Sequence, residues 1–257
     1  MGMRKKVLAA NALERYSRQT SIKAIGKAGQ SRLSAATVLV AGCGGLGCAS
    51  AGLLARAGVG RLVIVDGGKV ELSNLHRQVL YDEDDLGSPK AMAAADHLDR
   101  ANPTIEVISV AERIDDGNID GLLEGVDVLV DGTDSMGARR TINEACVRHE
   151  VPWVYGGASG TAGMSMTIVP GKTPCFSCAF PEKGPGGRSR DQGPVPIIGT
   201  LPSIIGSIQA TEAIKLLLGK APRPGLLVID PWDWEVRTID VQVRRSCPVC
   251  QCGSRRH

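Results

Sequence analysis

Arg77, Lys90 and Asp134 follow a glycine-rich stretch, Gly42-Cys43-Gly44-Gly45-Leu46-Gly47, in an order that suits a polyphosphate. Glycines at Gly42, Gly44, Gly45 and Gly47 permit a tight turn and let a phosphate approach the backbone, and a helix starting there adds oriented N–H groups. Asp66 closes the next apolar run, where its carboxylate can accept hydrogen bonds from ribose hydroxyls. This much also describes NAD and FAD sites, and a glycine turn kept only for packing is the structural alternative. Arg77 and Lys90 add cations that a pyrophosphate linkage does not need and a triphosphate does. Asp131 and Asp134, in Asp131-Gly132-Thr133-Asp134-Ser135, end another apolar run, and a carboxylate there suits Mg²⁺, which binds one or two carboxylates together with phosphates. Singly, each of these residues reads as a solvated charge, and Asp134 as a helix cap. Together, in this order, they point to Mg-ATP.

Thiols form a second constellation. Of the eight cysteines, Cys175 and Cys178 make one Cys-x-x-Cys pair and Cys247 and Cys250 another. Four thiolates at this spacing predict a tetrahedral, structural Zn²⁺ with no open coordination position. A redox role for each pair is the alternative, without a thioredoxin-like context to support it. Cys252 is a spare thiol, and Cys43 and Cys48 read as small packing residues.

The elements that must position these groups alternate. A helical segment over 13–34 precedes an apolar run at 37–41, a helix from Leu46 to Ala57 ending at Gly58, and a second run at 61–65 ending in Asp66. Helices are expected at 89–101, 117–124 and 136–149, with strands at 105–110, 126–130 and 152–155. Continuous apolar runs alternating with helices predict an α/β, Rossmann-like, mostly parallel sheet covered on both faces. Beyond about residue 156 the pattern changes to mixed or antiparallel strands at 162–169, 226–230 and 235–243, with a helix at 203–218. Residues 181–198, rich in Gly, Pro and charge, read as a long loop. One domain over 1–257 is expected, with a nucleotide-binding part at 37–156 and a zinc-bearing, acceptor-binding part at 157–257.

Composition excludes several classes. A net charge of +3 over 257 residues leaves no footprint for nucleic acid or a membrane surface. The sequence has no apolar run long enough to span a bilayer and no secretory signal pattern, so a cytoplasmic location is expected.

The set of motifs resembles the ThiF/MoeB/HesA family, which activates ubiquitin-like sulfur-carrier proteins. The likeness runs from Glu14-Arg15-Tyr16-Ser17-Arg18-Gln19 to Cys250 and includes the glycine loop, Ser73-Asn74-x-x-Arg77-Gln78, Lys90, Thr133-Asp134 and Gly206-Ser207-Ile208-Gln209. The resemblance implies that Asp66 holds the ribose, that Asn74, Arg77 and Lys90 contact the phosphates with Gln78 beside them, and that Asp134 binds Mg²⁺. It implies that Arg18 reaches across a homodimer to the partner's ATP. The implied reaction is attack by a C-terminal glycine carboxylate of a ubiquitin-like carrier on the α-phosphate, releasing pyrophosphate. No protein nucleophile is required for it.

Two features depart from the family. Residues 179–206 contain no cysteine, so covalent capture of the carrier through that loop is not expected, and Ser135 stands where the family commonly has Asn. The missing cysteine leaves open a second substrate class, a small-molecule or peptide carboxylate. A non-catalytic nucleotide-dependent scaffold and an NAD-dependent oxidoreductase are further alternatives, and the last leaves Arg18, Arg77, Lys90 and Asp134 without a role.

Overall fold

The computed structural model describes residues 14–181 and 196–250. Eight strands form one sheet: β1 (Thr37–Ala41), β2 (Arg61–Val65), β3 (Glu106–Val110), β4 (Val128–Asp131), β5 (Trp153–Ser159), β6 (Ala162–Ile168), β7 (Leu226–Asp230) and β8 (Glu235–Ile239). Their spatial order is β3-β2-β1-β4-β5-β6-β7-β8. The first five are parallel and the last three antiparallel. The chain builds outward from β1 to β3, then returns to place β4 on the other side of β1. That reversal opens a crevice above the carboxyl ends of β1 and β4, where open α/β sheets bind ligands.

The helices are α1 (Ser17–Thr20), α2 (Gly26–Leu33), α3 (Gly45–Ala57), α4 (Lys90–Ala101), α5 (Ile119–Leu122), α6 (Met136–Arg148), α7 (Phe176–Ala179) and α8 (Thr200–Leu217). The expected single helix over 13–34 is broken. The break falls between Thr20 and Gly26, and Gly26, where α2 begins, adopts φ +59°, outside the right-handed helical range. Helix α8 starts three residues earlier than expected because Pro202 sits in its first turn, where a missing N–H costs nothing. The expected loop at 181–198 falls largely outside the described residues, as does Cys252.

Two apolar clusters cover the faces of the sheet. Helices α3, α4 and α8 bury Leu54, Leu98 and Ala213 against Val38, Val40, Leu62 and Ile64. On the other face Ile142, Trp153, Tyr155 and Phe176 pack with Leu39, Leu129 and Ile168. Trp153, Tyr155, Phe176 and Phe180 form one aromatic group, with Phe176 and Phe180 centroids 4.8 Å apart. Burial of each such ring contributes about 2–3 kcal/mol. Helix α3 is built of small residues because α8 crosses it closely: a Cβ on Gly206 would lie 2.7 Å from the Leu46 carbonyl oxygen and 2.8 Å from Ala49 Cβ. Among the described residues no helix is long and apolar enough to cross a membrane.

Candidate functional site

The glycine loop fills the crevice between β1 and β4. Ala41 pairs with Asp131, so Gly42 and Gly132, the next residues of each strand, meet. Gly42 has φ +85°. A Cβ on it would lie 2.9 Å from the Gly132 carbonyl, and a Cβ on Gly47 or on Gly132 would overlap the Gly42 carbonyl oxygen. Gly45 lies against α8, its Cβ position 2.8 Å from Pro202 Cβ. Gly44 alone of the four has room, with its nearest neighbour, Gly132 O, at 3.7 Å. It is the N-cap of α3 and offers no side-chain cap, so the first N–H groups of that helix remain available to an anion. The four glycines thus divide into three that let strand, loop and helices touch and one that leaves an open face.

Asp66, at the end of β2, is anchored by two backbone donors: Cys43 N–H to Oδ2 at 2.8 Å and Gly68 N–H to Oδ1 at 2.7 Å. Lys90, the first residue of α4, brings its ammonium to the same glycine, 3.6 Å from a Cβ placed on Gly68. Tyr81, which the sequence reading missed, ties these parts together. Its hydroxyl faces the carbonyl oxygens of Cys43 at 2.9 Å and Lys90 at 3.1 Å, and burial pushes its phenol far above the ordinary range. Cys43 and Cys48 are fully buried with Sγ atoms 3.9 Å apart, as packing residues should be.

The segment 73–78 borders the loop on its other side. Arg77 donates to Ser73 O at 2.9 Å and touches His76 Nε2 at 2.7 Å, and its carbonyl lies 3.4 Å from a Cβ on Gly45. Asn74 and Gln78 are buried, and each leaves its amide oxygen without a partner. Such oxygens are unfavourable unless a ligand meets them or the amide turns to present its NH₂.

The two acids at the end of β4 have opposite fates. Asp131 is fully buried and held by three donors: Oδ1 accepts from Thr133 N at 2.9 Å and Oγ1 at 2.6 Å, and Oδ2 from Arg139 Nε at 3.0 Å. Burial and these contacts commit it to the frame of the site. Asp134 is exposed at the mouth of the crevice. The cap of α6 is Ser135, whose hydroxyl accepts from Ala138 N at 3.4 Å, so the capping role open to Asp134 in the sequence falls to its neighbour. Arg139, also missed by the sequence reading, reaches back from α6 to Thr133 O at 2.5 Å and Gly156 O at 2.9 Å and lies over the Tyr155 ring. Burial pulls its charge down, but Asp131 outweighs that and holds it above its ordinary value. Gln209 of α8 completes the frame by donating to Asp131 O at 2.7 Å and Val154 O at 3.0 Å.

The structure therefore brings Gly42–Gly47, Asp66, Asn74, Arg77, Gln78, Lys90 and the Thr133–Asp134 turn to one crevice. Arg18 is not among them. Gln19 donates to Ala57 O and Tyr16 meets Asn102, so α1 is fixed at the far end of α3, about 18 Å of helix from the glycine loop.

Cys175, Cys178, Cys247 and Cys250 converge with all Sγ atoms within 4.8 Å of one another. The separations of 3.5 Å (Cys175–Cys247), 3.6 Å (Cys178–Cys250) and 3.9 Å (Cys175–Cys178) fit the edges of a tetrahedron of about 3.8 Å that Zn–S bonds of about 2.3 Å require. Burial raises Cys175 and Cys178. At Cys247 burial is outweighed by the N–H groups of Cys250 and Val249, which bring the thiol to about 7. The cluster ties the C-terminal segment to α7 and the aromatic group.

An open α/β sheet with a glycine-rich turn at its switch point and four converging thiols near its C-terminal end has the architecture of nucleotide-binding α/β enzymes. The chain belongs to the ThiF family, which it matches over residues 16–250. It is 41% identical to the SAMP-activating enzyme E1 of Haloferax volcanii over 248 residues, covering 96% of this chain and 92% of that one. It is 38% identical to the sulfur carrier protein adenylyltransferase of Thermus thermophilus, covering 93% and 90%. Among solved structures, E. coli MccB with ATP superposes with a TM-score of 0.81 at 25% identity, covering 92% of this chain and 74% of that one.

Proposed function

We propose that this chain binds Mg-ATP in the crevice above β1 and β4 and adenylates the C-terminal glycine carboxylate of a ubiquitin-like sulfur-carrier protein. The observation that carries this is the convergence on one cradle of a hydroxyl-binding acid (Asp66), two cations (Arg77, Lys90) and one exposed carboxylate (Asp134). The names of the relatives from Haloferax volcanii and Thermus thermophilus support the same reading.

Asp66, held by two N–H groups, accepts from the ribose. The N-terminus of α3 above Gly44 and the side chains of Arg77 and Lys90 neutralise the phosphates, with Asn74 and Gln78 offering their amides from below. Asp134 holds Mg²⁺, which when bound supplies charge stabilisation at the phosphates. The carrier's carboxylate attacks the α-phosphorus in line, the bond to the β-phosphate oxygen breaks, and pyrophosphate leaves. No residue of the chain need form a covalent bond, in keeping with the absence of cysteine from 179–206.

Because α1 is anchored at the opposite end of α3, Arg18 cannot serve its own crevice. A homodimer in which it serves the partner's gives this exposed arginine its role. The four-thiol cluster holds a structural Zn²⁺.

ATP–pyrophosphate exchange dependent on a Gly-Gly-terminated carrier tests the reading. Asp134→Asn should reduce exchange by about 10²–10³-fold, the scale of losing one charge-stabilising group. Its melting temperature should not change, because Asp134 is exposed. Exchange with a small acid or peptide and none with any carrier would establish the second substrate class instead.

A further inference from the structure

Arg77 is fastened through one nitrogen. Its Nη1 donates to Ser73 O at 2.9 Å and lies 2.7 Å from His76 Nε2, so both hydrogens of that nitrogen are committed. A guanidinium has five N–H groups, and among the described residues the three on Nε and Nη2 have no partner. Those two nitrogens form the fork that grips a pair of phosphate oxygens. The contact with His76 also fixes a protonation state. Arginine only donates, so His76 Nε2 must present its lone pair, and the ring must be neutral with its proton on Nδ1.

His76 is held from its other side. Gly199, the N-cap of α8, packs against it: a Cβ on Gly199 would overlap the His76 carbonyl oxygen and lie 3.3 Å from Nδ1. The residues before Gly199 are fixed in turn by Gly160, whose N–H donates to Pro196 O at 2.7 Å and whose carbonyl oxygen accepts from Ile198 N at 3.0 Å. The imidazole therefore sits between Arg77 and the start of α8 while staying exposed to solvent, and so to protons. Residues 196–203 carry no ionisable side chain. On the imidazole's own segment the charged neighbours are Arg77 and Glu71, whose carboxylate meets the Ser73 hydroxyl at 3.5 Å.

We infer that neutral His76 is a positioning residue that holds Arg77 in its phosphate-binding pose, and that protonation of His76 releases the guanidinium. Protonation puts a hydrogen on Nε2, so two donors and two positive charges face each other, and Arg77 keeps only the Ser73 contact. The hold is present while the imidazole is neutral and is lost as pH falls through its titration. The inference rests on ATP binding in this crevice and adds what orients one of its two cations. It asks for no contact between His76 and the reacting atoms, so the effect falls on nucleotide affinity.

Calorimetry of Mg-ATP binding at about pH 6 and about pH 8 tests this in wild type, His76→Gln and His76→Ala. The Gln amide oxygen reaches the place of Nε2 and accepts at either pH, whereas Ala accepts at neither. At the higher pH, wild type and His76→Gln should bind alike, and His76→Ala about tenfold more weakly, the scale of one hydrogen bond to a charged group. At the lower pH, wild type should weaken about threefold or more relative to His76→Gln, a ratio in which titration of the nucleotide's own phosphates cancels. In an Arg77→Ala background, His76→Ala should cost nothing further. A wild-type to His76→Gln ratio that does not vary with pH overturns the inference, as does a His76→Ala variant that binds Mg-ATP like wild type. So does a loss in His76→Ala that persists without Arg77. Wild-type binding that tightens on acidification relative to His76→Gln also overturns it, because His76 would then meet the phosphates as a cation itself. No ATP binding by wild type at either pH is a separate failure, that of the nucleotide site on which the inference stands.

Discussion

Arg139 Nε lies 3.0 Å from Asp131 Oδ2 in a buried ion pair that is also hydrogen-bonded to the turn that carries Asp134. The pair spans β4 and α6 and, through Gly156 O, reaches β5. Removing one member leaves the other charge buried and uncompensated, which costs about 3–5 kcal/mol. Asp131→Ala should therefore lower the unfolding free energy by that amount in urea titration. Asp134→Ala, three residues on, should change it by less than about 0.5 kcal/mol, as exposed substitutions do. Equal effects for the two would show that Asp131 is not the buried member described.

The glycine loop makes a second, divided prediction. Gly47→Ala places a methyl group inside the Gly42 carbonyl oxygen, where only backbone movement relieves it, so this variant should be strongly destabilised or insoluble. Gly44→Ala meets nothing closer than 3.7 Å and should fold with a near-normal melting temperature. Its methyl group occupies the open face of the cradle, so calorimetry should record ATP affinity at least about tenfold weaker, a loss of about 1.4 kcal/mol. A Gly44→Ala variant that binds ATP normally would remove this loop from the phosphate site.

Much of this architecture is legible in the sequence because local and global signals agree. The runs at 37–41 and 61–65 are strands over those same residues, since a buried parallel strand needs apolar side chains on both faces. Asp66, Lys90 and the cysteine pairs are equally readable, each sitting at an element's end or at ligand spacing. What is not legible depends on long-range packing. Nothing in the order Asp131-Gly132-Thr133-Asp134 tells that the first acid points inward and the last outward. The difference arises from the strand register of β4 and from Arg139, whose partners Asp131 and Gly156 lie on two different strands. Gln209 stands out only as part of a motif, and its two backbone acceptors lie 78 and 55 residues away. The break between Thr20 and Gly26 is a backbone event that apolar periodicity alone does not reveal.

The thiol cluster predicts about one Zn²⁺ per chain by elemental analysis. The C-terminal segment contacts the core through Cys247 and Cys250, through Val241 and Val249, and through Arg244, which donates to Ser177 O at 3.1 Å. Cys247→Ser should therefore free that segment to limited proteolysis while leaving the parallel sheet folded. Binding requires the thiols to lose their protons. Protons compete with the metal for the four thiolates, so zinc should be retained at neutral pH and released progressively below it. A chelator assay showing zinc held more tightly at about pH 5.5 than at about pH 7.5 would contradict this.

The placement of Arg18 yields the sharpest test of assembly. Arg18→Ala and Asp134→Asn should each reduce exchange by about a hundredfold or more, one lesion lying at the far end of α3 and the other at the crevice. If Arg18 serves the partner's crevice in a two-fold dimer, a heterodimer of the two variants holds one site with both lesions and one with neither. An equimolar mixture, denatured and refolded together, should then recover about a quarter of wild-type activity, since half the dimers are mixed and each has one intact site. If Arg18 instead acted within its own chain, every site in the mixture would carry one lesion and no activity would return. A protein sedimenting as a monomer at concentrations where exchange is complete would exclude the composite site altogether.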